Sequence, residues 1–583
     1  MATGVLRPPE GRPRTGLARL RPSGQTLLLG TCALVVGYLV LSPLVFLLIS
    51  SFRRYELNGS IGFTFTFDNY LETYLSPDFL PAAGNSIIYA GGGTLIAVLA
   101  GTGLAWVVER TNTPLRGLYT LLAAATYFVP GVLMAVAWSA LANPRNGSLN
   151  GLLRAFIDVS QGPLDVNSML GMIWVFGTHL YPIVFLIMAA AFRSMDPALE
   201  EAAALSGAGI GAILRTITLA VSRPAVISAV LIIFVRGLES FDVPLMLGLP
   251  AKIDVLTTQI YATAALHHPP ELGISSSLGV LLLLVSVAGV YYYRSATAAA
   301  LSFSTISGKG YRPQRLDLGR GRLVAALACG LFFFVTFALP LLATVWISLF
   351  PFVRQPSFEA LARASFVQYQ YVFGYDAIVE AFRNSLLNAA LVATFVVVLT
   401  SVIAWIALRS KIRGAWILDG LAFAPIGVPG TIMGVSILLV YLTLPIPLYG
   451  TIFLVTIAHI TLFLPYGMRL ASDALLRVHP QLEEASELSG ATFARTYREI
   501  LLPLILPGLL AAWVTILAAS FRELSAAIFL GTPGSRMVSV VMYSAWADGN
   551  STAAAALGVV ILLVVVTLAL CAWLLGRLIR FAA

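Results

Sequence analysis

Apolar runs of roughly twenty residues recur along the whole chain, and twenty residues is the length of helix that crosses a bilayer. No other feature limits the fold as tightly. In lipid a spanning segment must satisfy its own backbone polar groups, and a helix does so within one segment. The runs predict spans at roughly 27–51, 86–108, 117–141, 169–192, 224–248 and 275–298, then 323–350, 385–408, 416–441, 447–470, 507–531 and 553–577. Only 11% of residues are charged, against about a quarter in a soluble globular protein. The expectation is an all-α integral membrane protein with about 12 transmembrane helices.

The net charge of +9 raises nucleic acid as a partner, but its distribution argues against one. Arginines and lysines gather in alternate loops: Arg110 and Arg116, then Arg193, Arg215 and Arg223, then Lys309 to Arg322, then Arg409, Lys411 and Arg413, then Arg469 to Arg498. Basic loops stay inside, which predicts a multi-pass membrane protein with both termini in the cytoplasm. Residues 1–26 read as a basic cytoplasmic tail. The run after it has membrane length, longer than a signal-peptide core, so an uncleaved first span is expected. Cys32, Cys329 and Cys571 stand alone inside apolar runs, which predicts neither a disulfide framework nor a metal cluster.

The chain also repeats itself. Glu200-Glu201-Ala202-Ala203-Ala204-Leu205-Ser206-Gly207 returns 283 residues later as Glu483-Glu484-Ala485-Ser486-Glu487-Leu488-Ser489-Gly490. Pro197 pairs with Pro480, and Ile217-Thr218-Leu219-Ala220 with Ile500-Leu501-Leu502-Pro503, at the same offset. Asn85-Ser86, Ala105-Trp106 and Val129-Pro130-Gly131 return at an offset of 299 as Asn384-Ser385, Ala404-Trp405 and Val428-Pro429-Gly430. The shortfall falls on the loop around Asn143–Asn167. Two halves of six spans in the same orientation form a parallel repeat, related by an axis along the membrane normal. The expected division is a first half at 27–298 with its loop at about 193–223, a linker at 299–322, and a second half at 323–583 with its loop at about 472–506. Alanine, leucine and glutamate favour helix, and the glycines are suited to end it, so each repeated stretch reads as a short water-facing helix.

These two stretches resemble the cytoplasmic loops of permease subunits of bacterial ATP-driven (ABC) importers. Their signature runs Glu-Ala-Ala, three residues, Gly, nine residues, then Ile-x-Leu-Pro. The second copy departs at Ser486 and the first at Ala220. The resemblance implies a fused two-half permease of the type I importer fold whose loop helices each dock on an ATPase subunit. Carried over for that docking are Glu200, Glu201, Ala202, Ala203 and Gly207, with Glu483, Glu484, Ala485 and Gly490. It implies two ATPase subunits, identical because one chain supplies both halves, and a substrate-binding protein at the outer face. Fused permeases of this length resemble the ferric-iron import group. Thiamine, polyamine and phosphonate permeases share related loops and remain alternatives, and an ion-gradient-driven facilitator is the reading from a different class.

The chain has no phosphate-binding loop. Gly308-Lys309 is the only Gly-Lys pair and lacks the surrounding motif. It has no catalytic triad or zinc motif either, so no catalytic residue and no bound cofactor is expected, and ATP and magnesium belong to the partner subunits. The pathway candidates are Arg236, Glu239 and Asp242, expected on one helix face of the fifth span, and Arg522 and Glu523 in the eleventh. Two readings stand: a polar lining of the pathway, or a self-neutralising group that faces protein. Asn85 and Asn384 read as helix caps, and Pro130-Gly131 and Pro429-Gly430 as kinks in the third spans. His267, His268 and Glu271 read as a solvated loop.

Overall fold

The computed structural model describes residues 24–55, 61–154, 156, 162–302, 315–410 and 414–582. The tail before residue 24, linker residues 303–314, Lys411, Arg413 and part of the long first-half loop lie outside the described residues. Among the described residues the chain is helical apart from a short antiparallel hairpin, Arg53–Tyr55 with Ile61–Phe65, and one isolated bridge.

Nine described helices are long and apolar enough to cross a membrane, and three sharply bent pairs bring the number to twelve. The first half supplies Leu27–Ser51, Phe79–Arg110, the pair Arg116–Tyr127 and Gly131–Ala142, Met169–Ser194, the pair Ile210–Val221 and Arg223–Glu239, and Leu272–Ser295. The second supplies Gly321–Ser348, Asp376–Arg409, the pair Ala415–Gly427 and Gly430–Thr443, Ile452–Leu476, Ala494–Phe521 and Ser551–Cys571. The third spans are not merely kinked. They turn by 101° and 111° at Pro130-Gly131 and Pro429-Gly430. Proline removes the amide that would continue the helix, and its backbone here is extended.

Within the first half, glycines let the second and fourth spans touch backbone to backbone. A Cβ on Gly101 would lie 2.8 Å from the Tyr181 carbonyl oxygen, and one on Gly177 2.9 Å from that of Gly93. Small residues at such crossings permit the packing that drives helix association in lipid. Between halves the packing is crossed. The first span reaches the second half through Tyr38, whose hydroxyl is 2.9 Å from that of Tyr441, and Thr461 donates to the Leu39 carbonyl at 3.3 Å. The seventh span reaches back: Tyr119 donates to the Ala326 carbonyl at 2.8 Å and stacks on Phe333.

Asn85 and Asn384 are not caps, because their helices begin earlier, at Phe79 and Asp376. They fasten the chain that follows each fifth span. Asn85 donates to the Asp254 carbonyl at 3.0 Å, and Ser86 accepts from the Leu256 amide at 2.9 Å. Asn384 donates to the Gly534 carbonyl at 3.2 Å, and Ser385 accepts from the Val538 amide at 2.8 Å.

The end of the linker is also fastened. Leu316 bridges Thr111, with its amide donating to the Arg110 carbonyl at 2.9 Å and its carbonyl accepting from the Asn112 amide at 3.2 Å. The Asp317 carboxylate accepts from the Gly319 amide and from the Asn112 side chain, which together hold its pKa below the ordinary aspartate value.

Candidate functional site

Each repeated loop folds as a short helix, Ala198–Leu205 and Gln481–Leu488, starting one residue after Pro197 and Pro480. Each ends at a glycine in the left-handed region, Gly207 at φ +82° and Gly490 at φ +78°. A residue with a Cβ is strained there. Beyond the glycine, both loops pass through a short helix and a five-residue π-helical turn, Leu214–Thr218 and Tyr497–Leu501; the second runs directly into Leu502–Phe521, the first into Leu219–Val221 ahead of a break.

The acidic pair that opens each helix is divided in its work. Sequence reasoning offered both glutamates to a partner, and the structure corrects this for the first of each pair. Glu200 is buried, paired with Arg110 at the end of the second span, and Arg110 Nε donates to it at 3.0 Å. Thr218 donates to its other oxygen. Glu483 is held in the same place by Arg409, whose Nε sits 3.2 Å away in an ion pair without hydrogen-bond alignment, and Trp405 donates to it at 2.9 Å. Glu484 is exposed and Glu201 half-buried, so these two, with Ala202 and Ala485, are the residues turned outward. Leu205 and Leu488 are each 90% exposed, at matching repeat positions.

The two departures from the loop signature have local companions. Ser486 is buried and hydrogen-bonds Thr496 at 2.8 Å, whereas in the first half Ala203 and Ile213 occupy those positions. The segment carrying Ala220 breaks by 72° before Arg223. There the Ser222 hydroxyl donates to the Thr218 carbonyl at 2.6 Å, a side-chain bond that bends helices.

The pathway candidates meet at the interface of the halves. Arg236, Glu239, Asp242 and Glu523 line a cavity of about 270 Å³, and Arg522 lines an adjoining one of about 300 Å³ that shares Asp242 and Glu523. They reach it differently from the expectation. The helices end at Glu239 and Phe521, so Asp242 opens the next helical segment while Arg522 and Glu523 stand in the break, and the charges share no continuous helical face. Arg236 Nη1 donates to Glu239 at 3.3 Å and its other amine reaches the Tyr466 hydroxyl of the opposite half. Arg522 donates to the Tyr127 and Val129 carbonyls at 2.9 and 3.0 Å, so a cation of one half satisfies carbonyls freed where the other half's third span breaks.

Glu523 accepts from the Ala526 and Ala527 amides, from Ser525, and from His459 Nε2 at 2.9 Å. His459 is fully buried, and its Nδ1 lies 2.9 Å from Asn388 and from Ser520. The matching first-half positions hold Tyr89, Phe176, Gly237 and Ser240, where Tyr89 and Ser240 hydroxyls meet at 2.9 Å. A Cβ on Gly131 would lie 2.8 Å from Asp242 Oδ2, and one on Gly430 2.2 Å from Ser525 Oγ, so both third-span breaks press on this centre.

Sequence reasoning missed His179, Tyr466 and His459 here, and Arg110 and Arg409 at the loops. Histidines inside apolar spans were a readable signal. Arg110 and Arg409 are repeat partners at offset 299, but they were read only as inside charges. Among the described residues no group of three or more His, Cys, Asp or Glu is arranged to hold a metal, and His267 pairs with Glu271 at 3.0 Å.

Fold and loops thus define a multi-pass membrane protein built from two repeated halves. Residues 397–580 match the model of the family described as binding-protein-dependent transport system inner membrane component. The chain is 28% identical, over 73% of its length, to the ferric transport system permease protein FbpB of Actinobacillus pleuropneumoniae. It is 30% identical, over 62% of its length, to the putative ferric transport system permease protein FbpB 1 of Haemophilus influenzae. It spans 62% and 56% of the length of these relatives. A solved bacterial alginate ABC transporter in complex with an alginate-bound periplasmic protein aligns with 48% of this chain and 96% of its own, at 18% identity and a TM-score of 0.36.

Proposed function

We propose that the chain is the membrane permease of an ATP-driven importer, and that its cargo is ferric iron handed over by a binding protein at the outer face. The observation that carries the reading is the pair of glycine-ended loop helices at matching repeat positions, each presenting an exposed leucine and an outward glutamate. Two identical ATPase subunits, holding ATP and magnesium, grip these helices. The positive-inside distribution of the basic loops supports this face, with both termini, lying on the cytoplasmic side of a bacterial inner membrane. The cavity lined by Arg236, Asp242 and Glu523 lies on the pathway between the halves. Ferric iron is the cargo because the relatives carry that name.

The test is ATP turnover by the permease with its ATPase subunits in lipid, with the binding protein loaded or empty. Stimulation by the iron-loaded form alone supports permease and cargo together. Stimulation only by a binding protein loaded with another solute keeps the permease and rejects iron. Absence of any complex with an ATPase rejects the reading in favour of a facilitator.

A further inference from the structure

The buried ion pairs behind the loop helices do work that neither the motif nor the pathway explains. In each half an arginine at the last turn of the second span holds the first glutamate of the loop helix. Arg110 and Glu200 are both almost fully buried, and Arg110 also donates to the Phe192 carbonyl at the end of the fourth span. Arg409 and Glu483 are 14% and 12% exposed, and Arg409 donates to the Leu475 and Val478 carbonyls, again at the end of the fourth span. Thus one guanidinium in each half joins three elements: the loop helix, the second span and the fourth.

We infer that Arg110 and Arg409 are positioning residues, struts through which a displacement of a loop helix is delivered to the second and fourth spans. Three features separate a strut from ordinary surface pairing. The pair recurs in both halves although the surrounding sequence has diverged. The first pair sits almost wholly out of water, and in both halves the guanidinium is also fastened to backbone carbonyls, which hold its geometry. Its partners lie at the ends of helices, so a displacement there acts on the whole helix. The fourth spans carry His179 and Tyr466 into the central cavity, so each strut has a covalent path to that wall.

The first strut has an added connection. The Arg110 carbonyl accepts from Leu316, and the chain five residues on begins the seventh span at Gly321. Movement of the first loop helix is therefore passed into the second half as well as the first. The second strut has no equivalent extension among the described residues.

The inference rests on the importer reading for its purpose, but its mechanical part is testable on the chain alone. Hydrogen exchange of the two loop helices is measured in Arg110→Gln, Arg409→Gln and Arg409→Lys variants. Loss of the charge-assisted contact is expected to raise exchange of the helix behind the altered strut by on the order of tenfold, while lysine at 409 recovers part of the protection. The less buried second strut keeps the test usable if Arg110→Gln does not fold. In the complex with ATPase subunits, the Gln variants are expected to transport several-fold less solute per ATP hydrolysed. Unchanged exchange in the Gln variants overturns the strut, whatever the ATPase does. So does a normal transport-to-hydrolysis ratio in a variant whose loop helix has been loosened. A wild-type complex whose ATP turnover ignores every binding protein fails the importer reading instead, and leaves the exchange result to decide the strut.

Discussion

Gly207 and Gly490 offer a perturbation whose cost can be separated from packing. Both hold left-handed backbone, and a Cβ built on either would meet nothing within 4 Å. Replacement by alanine therefore adds no clash, and its cost is the backbone term alone, roughly 1–2 kcal/mol per site. The two sites lie on separate loops, so the terms add to roughly 2–4 kcal/mol in the double variant. That sum is spent on two short exposed turns, while the spans are held by buried contacts the substitution does not touch. The Gly207→Ala, Gly490→Ala protein is thus expected to insert and fold, with each turn in its native conformation roughly 5–30-fold less often. Transport should fall sharply, because the loop helices then end at the wrong place. Asparagine tolerates the left-handed region, so Gly207→Asn with Gly490→Asn should keep most of the activity. The assay is solute uptake into proteoliposomes containing the permease and its ATPase subunits. Normal uptake by a correctly inserted double-alanine protein, or asparagine as damaging as alanine, would refute the reasoning.

Gly101→Leu should be among the most damaging single changes in the first half. Its Cβ would press on backbone atoms of Tyr181 and Phe185 at 2.8 and 2.9 Å, which cannot turn aside, and the expected loss is about 3 kcal/mol, read as a lower melting temperature in detergent. His459→Phe gives the second half the residue that the first has at Phe176, yet it should destabilise. Asn388, Ser520 and Glu523 each lose one of their partners, at about 1 kcal/mol per hydrogen bond lost, and a melting temperature equal to wild type would contradict the network. Asn85→Ala and Asn384→Ala should each cost about 1 kcal/mol and loosen the segment after the fifth span, seen as faster hydrogen exchange around Leu256 or Val538.

The spans were legible because membrane helices are read from apolar length alone, and all twelve expected runs correspond to a described helix or bent pair. The ends of the fifth and eleventh spans were not. Leu245, Met246 and Leu247, and Ala526 and Ala527, are fully buried in protein, and an apolar residue packed on protein looks the same in sequence as one facing lipid. For that reason the charges beyond Glu239 and Phe521 were placed on helices that had already ended. The loop helices and their glycines could be read from the repeat. The division between Glu200 and Glu201 could not, since adjacent identical letters carry no direction and the deciding partner, Arg110, lies far away in the chain. The cavity's residues were partly visible, because charge in an apolar setting stands out. Their pairing across halves depends on the crossed packing, which no periodicity encodes.

The central claim is that both loop helices seat on ATPase subunits, and cross-linking from their exposed tips tests it most directly. Leu205→Cys and Leu488→Cys are introduced separately into a chain whose native Cys32, Cys329 and Cys571 have been replaced by serine, and a short bifunctional reagent is applied in membranes containing the ATPase subunit. The account predicts a permease–ATPase adduct from each position, changing in yield when ATP is added. No adduct from either position, in membranes where both proteins are present and folded, would contradict it.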